Sequence, residues 1–123
     1  MNKVEKKITE LIMPYLKGEQ AFSMNGKGSR CVYNGDNTHC SFAMACSNKA
    51  ALIEQETAEC LLETKLAILL PEYQDMLSNR SWNYVQEIHD AMTANHKNIA
   101  LNRLDMLSEH GTFDSLREAI KNY

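Results

Sequence analysis

The chain has 123 residues, of which 44% are hydrophobic and 24% are charged, and its formal net charge is −3. These values are typical of one soluble globular domain and exclude collagen-like, low-complexity and mainly disordered chains. The longest strictly apolar stretch, residues 66–71, is far shorter than the ~20 residues of a membrane span. No apolar signal segment follows the charged start, so we expect a cytoplasmic protein that does not enter membranes.

The first segment has the pattern of an amphipathic helix. Apolar side chains recur at helical spacing from Val4 to Tyr15, with lysines and glutamates between them. Pro14 lies late in this pattern, so we expect the helix to end or kink near Met13. Gly18 should close the segment.

Residues 19–46 are predicted to form a small antiparallel β-meander. Two Asn-Gly pairs, at 25–26 and 34–35, separate short runs of strand-forming residues, and Asn-Gly strongly favours a hairpin turn. The predicted strands are Ala21–Met24, Arg30–Tyr33 and His39–Phe42. The second hairpin, with Asn34 and Gly35 as its turn, has the stronger signal.

From residue 48 onward the apolar spacing is helical. One predicted helix ends at Pro71, and the next begins at Ser78 or Asn79. A further helix ends at Gly111, and the last one begins after Thr112. The inward side chains expected on the helix after Ser78 are Trp82, Val85, Ile88, His89 and Met92. Asn98 is the expected cap of the helix that carries Ala100, Leu104 and Leu107, and the last helix should bury Phe113, Leu116 and Ile120.

These elements together predict the α+β fold class. The expected architecture is a mostly α-helical single domain, residues 1–123, with a small antiparallel β-hairpin or three-stranded meander near residues 20–45. Its parts are an N-terminal helix (1–18), the β-meander (19–46) and a helical bundle (48–123).

The four cysteines are expected to be reduced, metal-free thiols. Cys31, Cys40, Cys46 and Cys60 lack the C-x2-C spacing of a structural zinc site, and a cytosolic location disfavours disulfides. We therefore expect no cofactor. The alternative is a small zinc module, for which the candidate ligands are Cys31, His39, Cys40 and Cys46.

No catalytic constellation stands out from the sequence, and we expect that the protein is not an enzyme. Cys40 or Cys46 could form a nucleophile–base pair with His89, followed by Asp90. His89, however, lies on an apolar helical face beside Ile88, where a buried structural histidine is the commoner case. The negative charge and the absence of basic residues interleaved with aromatics argue against nucleic-acid binding.

The charge is unevenly distributed along the chain. Residues 1–30 carry six basic and three acidic side chains, whereas residues 51–77 carry six acidic side chains and Lys65. Four of these acids, Glu54, Glu56, Glu59 and Glu63, form the candidate partner-binding surface, because several charges together steer association. The alternative is that Lys3, Lys6 and Lys7 of the first helix dock on this face within the same molecule.

Three stretches resemble a family of small, uncharacterised phage and mobile-element proteins. They are residues 30–44 (RCVYNGDNTHCSFAM), 53–59 (IEQETAE) and 85–90 (VQEIHD), which match the family's C-x-Y…C hairpin, acidic segment and Gln-x-x-His-Asp helix. The chain departs from the family at Thr38-His39, where a basic residue is usual, and at Ser41-Phe42-Ala43, which replaces a Val-Gly.

The family resemblance implies an origin and not a chemistry. Together with the acidic face, it leads us to expect a small phage-encoded accessory protein that binds and inhibits a bacterial host protein. A CRISPR effector or a toxin would be such a host factor, and the sequence is also compatible with a homo-oligomer.

Overall fold

The computed structural model describes residues 2–22, 34–35, 38–39 and 69–123. The helices of these residues are α1 (Lys3–Leu16), α2 (Asn79–Thr93), α3 (Lys97–Asp105) and α4 (Asp114–Lys121). Turns of 3-10 helix span Pro71–Tyr73 and Ser108–His110. Two short strands, β1 (Asn34–Gly35) and β2 (Thr38–His39), pair antiparallel.

One apolar core joins the four helices. α2 packs on α3 and on α1, while α4 packs on α1 and α3. Burial of these apolar faces is the main stabilising contribution, since short isolated helices are marginal in water. The side chains from which solvent is fully excluded include Ile8, Trp82, Val85, Ile88, Ala100, Leu104, Leu107, Phe113, Leu116 and Ile120.

The predicted burial of the apolar faces is confirmed for all four helices, although Leu107 and Phe113 lie just outside the helices in which they were predicted. Every side chain expected on the inner side of α2, from Trp82 to Met92, is buried. Ser78 caps that helix, because its Oγ accepts a hydrogen bond of 3.1 Å from the Ser81 amide. The predicted start of α3 is wrong by two residues, because His96 and not Asn98 precedes the helix.

The amino end of α1 is fixed to the turn before α4. The Asn2 side chain accepts a hydrogen bond of 2.8 Å from the Glu5 amide, which is the usual role of an N-cap. The same side chain donates from Nδ2 to the His110 carbonyl at 2.6 Å. One residue therefore caps the helix and connects two distant parts of the chain.

The carboxyl end of α1 lies further along the chain than predicted. Pro14 is inside the helix, which continues to Leu16. A proline in the last turn removes one helical hydrogen bond only, and the Pro14 carbonyl accepts from the amides of Glu19 (2.9 Å) and Gln20 (3.1 Å). Gly18, at φ +76°, allows the chain to reverse there.

The α+β prediction is wrong. The described part of the chain is helical, and its strand pairing is a two-residue ladder, Asn34 with His39 and Gly35 with Thr38, together with a bridge residue at Leu69. Such a ladder is too short to offer a packing face. Asn34 and Gly35 lie in the ladder and not in the predicted turn. The Asp-Asn pair at 36–37 also has turn-forming composition, so the local sequence signal did not distinguish the two pairs.

Other parts of the predicted β-meander and helical bundle have a different structure from the prediction or lie outside the described residues. Of the predicted strand Ala21–Met24, Ala21 and Phe22 are described, and neither is in a strand. The helix predicted to end at Pro71 does not include Leu69 or Leu70, and the rest of it lies outside the described residues. Within the part of the chain that is described, no helix has the length and apolarity needed to cross a membrane.

Candidate interaction surface

Most residues that the sequence singled out lie outside the described part of the chain. This holds for the acidic set, Glu54, Glu56, Glu59 and Glu63, and for Cys31, Cys40 and Cys46. His39 is described through its backbone in β2. The acidic contact surface and the zinc alternative therefore stay predictions, although no three metal-ligating side chains cluster among residues 2–22 and 69–123.

The Gln-x-x-His-Asp segment forms a polar cluster on α2. His89 Nδ1 lies 2.9 Å from Asp90 Oδ1, and Gln86 Nε2 donates to the same oxygen at 3.1 Å. An ionised carboxylate only accepts hydrogen bonds, so the Asp90 contact places a proton on His89 Nδ1. Gln86 Nε2, at 3.5 Å from that nitrogen, is then a second donor to Asp90 and not a partner of His89.

Aromatic rings enclose the imidazole of His89, which is 1% exposed. The Tyr15 ring meets it edge-on at 4.9 Å between centroids, and Phe22 lies at 5.4 Å. Phe22 also stacks on Tyr15 and contacts the ring of Tyr123. The cluster thus joins the end of α1, the segment after it, α2 and the last residue of the chain.

The environment of His89 favours a structural role. A histidine oriented by a carboxylate resembles the base of a catalytic pair, but a general base must come within hydrogen-bond reach of its substrate. In this structure the Tyr15 and Phe22 rings pack beside the imidazole, which is almost completely excluded from solvent. The expectation of a buried, satisfied histidine is thus confirmed in its burial and in the Asp90 contact.

The exposed side of α3 carries large apolar side chains. Ile99 is 44% exposed and Met106, seven residues later at the end of the helix, is 51% exposed. A spacing of seven places both on one side of a helix, away from the buried Ala100 and Leu104. We call the pair Ile99 and Met106 the α3 apolar face.

Ion pairs lie beside the α3 apolar face. Arg103 Nε donates to Glu87 Oε2 at 2.6 Å, and Arg117 Nη1 donates to Asp105 Oδ1 at 2.6 Å. The buried stripe predicted α3 from the sequence, but its other side was not identified as a candidate surface. The signal that was missed is the pair Ile99 and Met106, whose spacing is also helical but which lies on a different side of the helix from the buried residues.

The basic first helix contacts an acidic residue of the 51–77 segment. Lys7 Nζ lies 3.3 Å from Glu72 Oε2 and 5.5 Å from the centroid of the Tyr73 ring. Lys3 and Lys6 are exposed and form no ion pair with a described residue. The pair is partly exposed, so its contribution to stability is about 0.2–1 kcal/mol.

Tyr73 should make stability depend on alkaline pH. Burial, followed by the carboxylates of Glu72 and Glu10, raises the pKa of its hydroxyl above the ordinary value of 10.0. The folded protein therefore holds this proton longer than the unfolded chain, and the free energy of unfolding falls as pH rises through and above 10. Denaturant unfolding at a series of pH values measures this decline. It should be shallower for Tyr73→Phe than for the native chain, and equal slopes would contradict the assignment.

Comparison of the chain with family models, with curated proteins and with solved structures finds no match.

Proposed function

We propose that the protein works by binding another protein through the α3 apolar face, and that it is not an enzyme. Following the resemblance of residues 30–44, 53–59 and 85–90 to phage and mobile-element proteins, the proposed partner is a bacterial host protein. A CRISPR effector or a toxin fits that description. The protein would inhibit such a factor by covering part of its surface.

The exposure of Ile99 and Met106 carries this proposal. Exposed apolar patches rimmed by polar residues mark interaction sites, and methionine is enriched at the centres of protein interfaces. The pairs Arg103–Glu87 and Arg117–Asp105 supply such a charged surround. Methionine adapts its shape to different partners, which suits a binding surface.

The test replaces both apolar side chains and measures capture of host proteins. We expect the double variant Ile99→Ser, Met106→Ser to lose about tenfold or more in affinity, because burying two such side chains contributes ~1.5–3 kcal/mol each at most. Quantitative affinity purification from bacterial lysate, followed by titration of the captured protein, measures this loss.

A matched control variant distinguishes a loss of binding at the α3 apolar face from a loss of folding. The double variant Asn98→Ser, Asn122→Ser changes two exposed polar residues outside the face and should capture the partner as the native chain does. Circular dichroism should be the same for all three proteins. Equal capture by the native chain and the Ile99/Met106 variant would contradict the proposal.

A further inference from the structure

A small cleft lies between the second half of α1 and the turn at Pro71–Tyr73. Its volume is about 180 Å³, and it is lined by Glu10, Leu11, Pro14, Tyr15, Gln20 and Tyr73. Pockets for small-molecule ligands usually measure ~300–1,000 Å³, so this cleft is of a size for a single side chain.

The end of α1 brings Gln20 to the cleft. The amides of Glu19 and Gln20 both donate to the Pro14 carbonyl, so the chain after the helix folds back over the last turn. Gly18, whose φ is +76°, allows that reversal. Residues from the helix, the segment after it and a turn far along the chain therefore meet at one place.

Three polar side chains of the cleft have no partner among the described residues. The Glu10 carboxylate, the side-chain amide of Gln20 and the Tyr73 hydroxyl make no hydrogen bond or ion pair with any of residues 2–22 or 69–123. Tyr73 as a whole is 6% exposed. Its hydroxyl is not one of the described side-chain atoms that are buried without a partner, so a donor that enters the cleft can reach this oxygen.

The charges around Tyr73 leave one carboxylate free for a cation. Lys7 contacts Glu72 at 3.3 Å and lies near the Tyr73 ring, so the charge of Glu72 is already compensated. The carboxylate of Glu10, which lies on α1, has no lysine or arginine within ion-pair distance among the described residues. The Lys7 contact also shows that this aromatic ring accommodates a positive group.

We infer that the cleft formed by Glu10, Gln20 and Tyr73 binds a basic side chain, an arginine, of a partner protein. A guanidinium presents five N–H donors and no acceptor, which matches a carboxylate, an amide oxygen and a phenol oxygen. The aromatic residues Tyr15 and Tyr73 provide walls that suit its flat, weakly hydrated surface. The assignment to a protein, but not the binding of the cation, rests on the proposed function.

The test uses a peptide and does not require the partner. The probe is the capped tripeptide Gly-Arg-Gly, titrated into the full-length ¹⁵N-labelled chain, with amide chemical shifts as the readout. We expect saturable shifts at Glu10, Gln20 and Tyr73, and no such shifts with the same peptide containing citrulline, which is neutral. Charge-assisted hydrogen bonds are stronger than neutral ones, so Glu10→Gln should weaken binding about tenfold or more.

Control variants distinguish the cleft from general attraction. Glu118→Gln removes an exposed carboxylate on α4 and should leave the peptide affinity unchanged. Tyr73→Phe should weaken binding while leaving the circular dichroism unchanged. Absence of saturable shifts, equal binding of the citrulline peptide, or equal losses in Glu10→Gln and Glu118→Gln would each overturn the inference.

Two further results are informative. One distinguishes a protein side chain from a free polyamine as the source of the cation, and the other distinguishes the cleft inference from the proposed function. Spermidine that binds more tightly than the arginine peptide, with the same dependence on Glu10, would overturn the assignment to a protein side chain. If the peptide fails to bind while the Ile99/Met106 variant still loses its captured protein, the cleft inference falls and the proposed function stands. If the peptide binds while the Ile99/Met106 variant captures its partner as the native chain does, the proposed function falls and the cleft inference stands.

Discussion

Replacement of Trp82 by alanine should lower the free energy of unfolding by about 3–5 kcal/mol. The Trp82 side chain is 0% exposed and lies on α2, the helix that packs on both α1 and α3. Its ring meets the Tyr73 ring edge-on at 6.1 Å between centroids. Truncation removes this contact and leaves a cavity that the surrounding helices cannot fill completely.

The loss should be visible in urea unfolding and in the melting temperature. Total stabilities of such proteins are ~5–15 kcal/mol, so the change is a large part of the whole. Trp82→Phe keeps most of the buried volume and should cost clearly less, while Arg80→Ala, at an exposed position of the same helix, should change stability by ~0.5 kcal/mol or less. A Trp82→Ala loss no larger than that of Arg80→Ala would show that this part of the core is not packed as described.

Replacement of Gly111 by alanine should also be strongly destabilising, by about 2–4 kcal/mol. Gly111 has φ +153°, a conformation that side-chain-bearing residues rarely adopt. A Cβ atom at this position would overlap the carboxylate of Glu5, which is itself buried against the glycine. The site joins α1 to the chain before α4, so a displacement there separates two packed helices.

A double-variant cycle divides this cost into its two causes. Glu5→Ala removes the carboxylate that the new Cβ would meet, so Gly111→Ala should cost ~1–2 kcal/mol less in that background. Gly18→Ala is the matched control, because Gly18 also has a positive φ but no described atom lies within 4 Å of the position that its Cβ would take. Its cost should be the backbone strain alone, about 1 kcal/mol. If Glu5→Ala brings no relief, the steric explanation is wrong.

The cluster around His89 shows that a short sequence motif does not determine the role of its residues. The short Gln-x-x-His-Asp pattern identifies three polar residues on one helix, and helical spacing alone places Gln86 near Asp90. The rings that enclose His89 come from Tyr15 and Phe22, which are far away in the sequence. Whether such a histidine is open to a substrate or enclosed is therefore decided by tertiary packing.

Local sequence was sufficient to locate most of the described helices and the faces that they bury. The spacing from Trp82 to Met92 predicted the inner face of α2, and Ser78 predicted its start. These predictions succeed because helical periodicity and capping depend on residues three or four positions apart. The same local signals predicted the burial of Leu116 and Ile120 on α4.

The remaining features depend on long-range packing. Phe113 was predicted as part of the last helix, but it precedes the helix at φ +54° and still fills the core, which only contacts with distant residues can impose. Phe22, predicted in a strand, stacks on Tyr15 instead. The exposure of Ile99 and the meeting of Glu10 with Tyr73 depend equally on how separate elements pack, because contacts between residues distant in the chain leave no local pattern in the sequence.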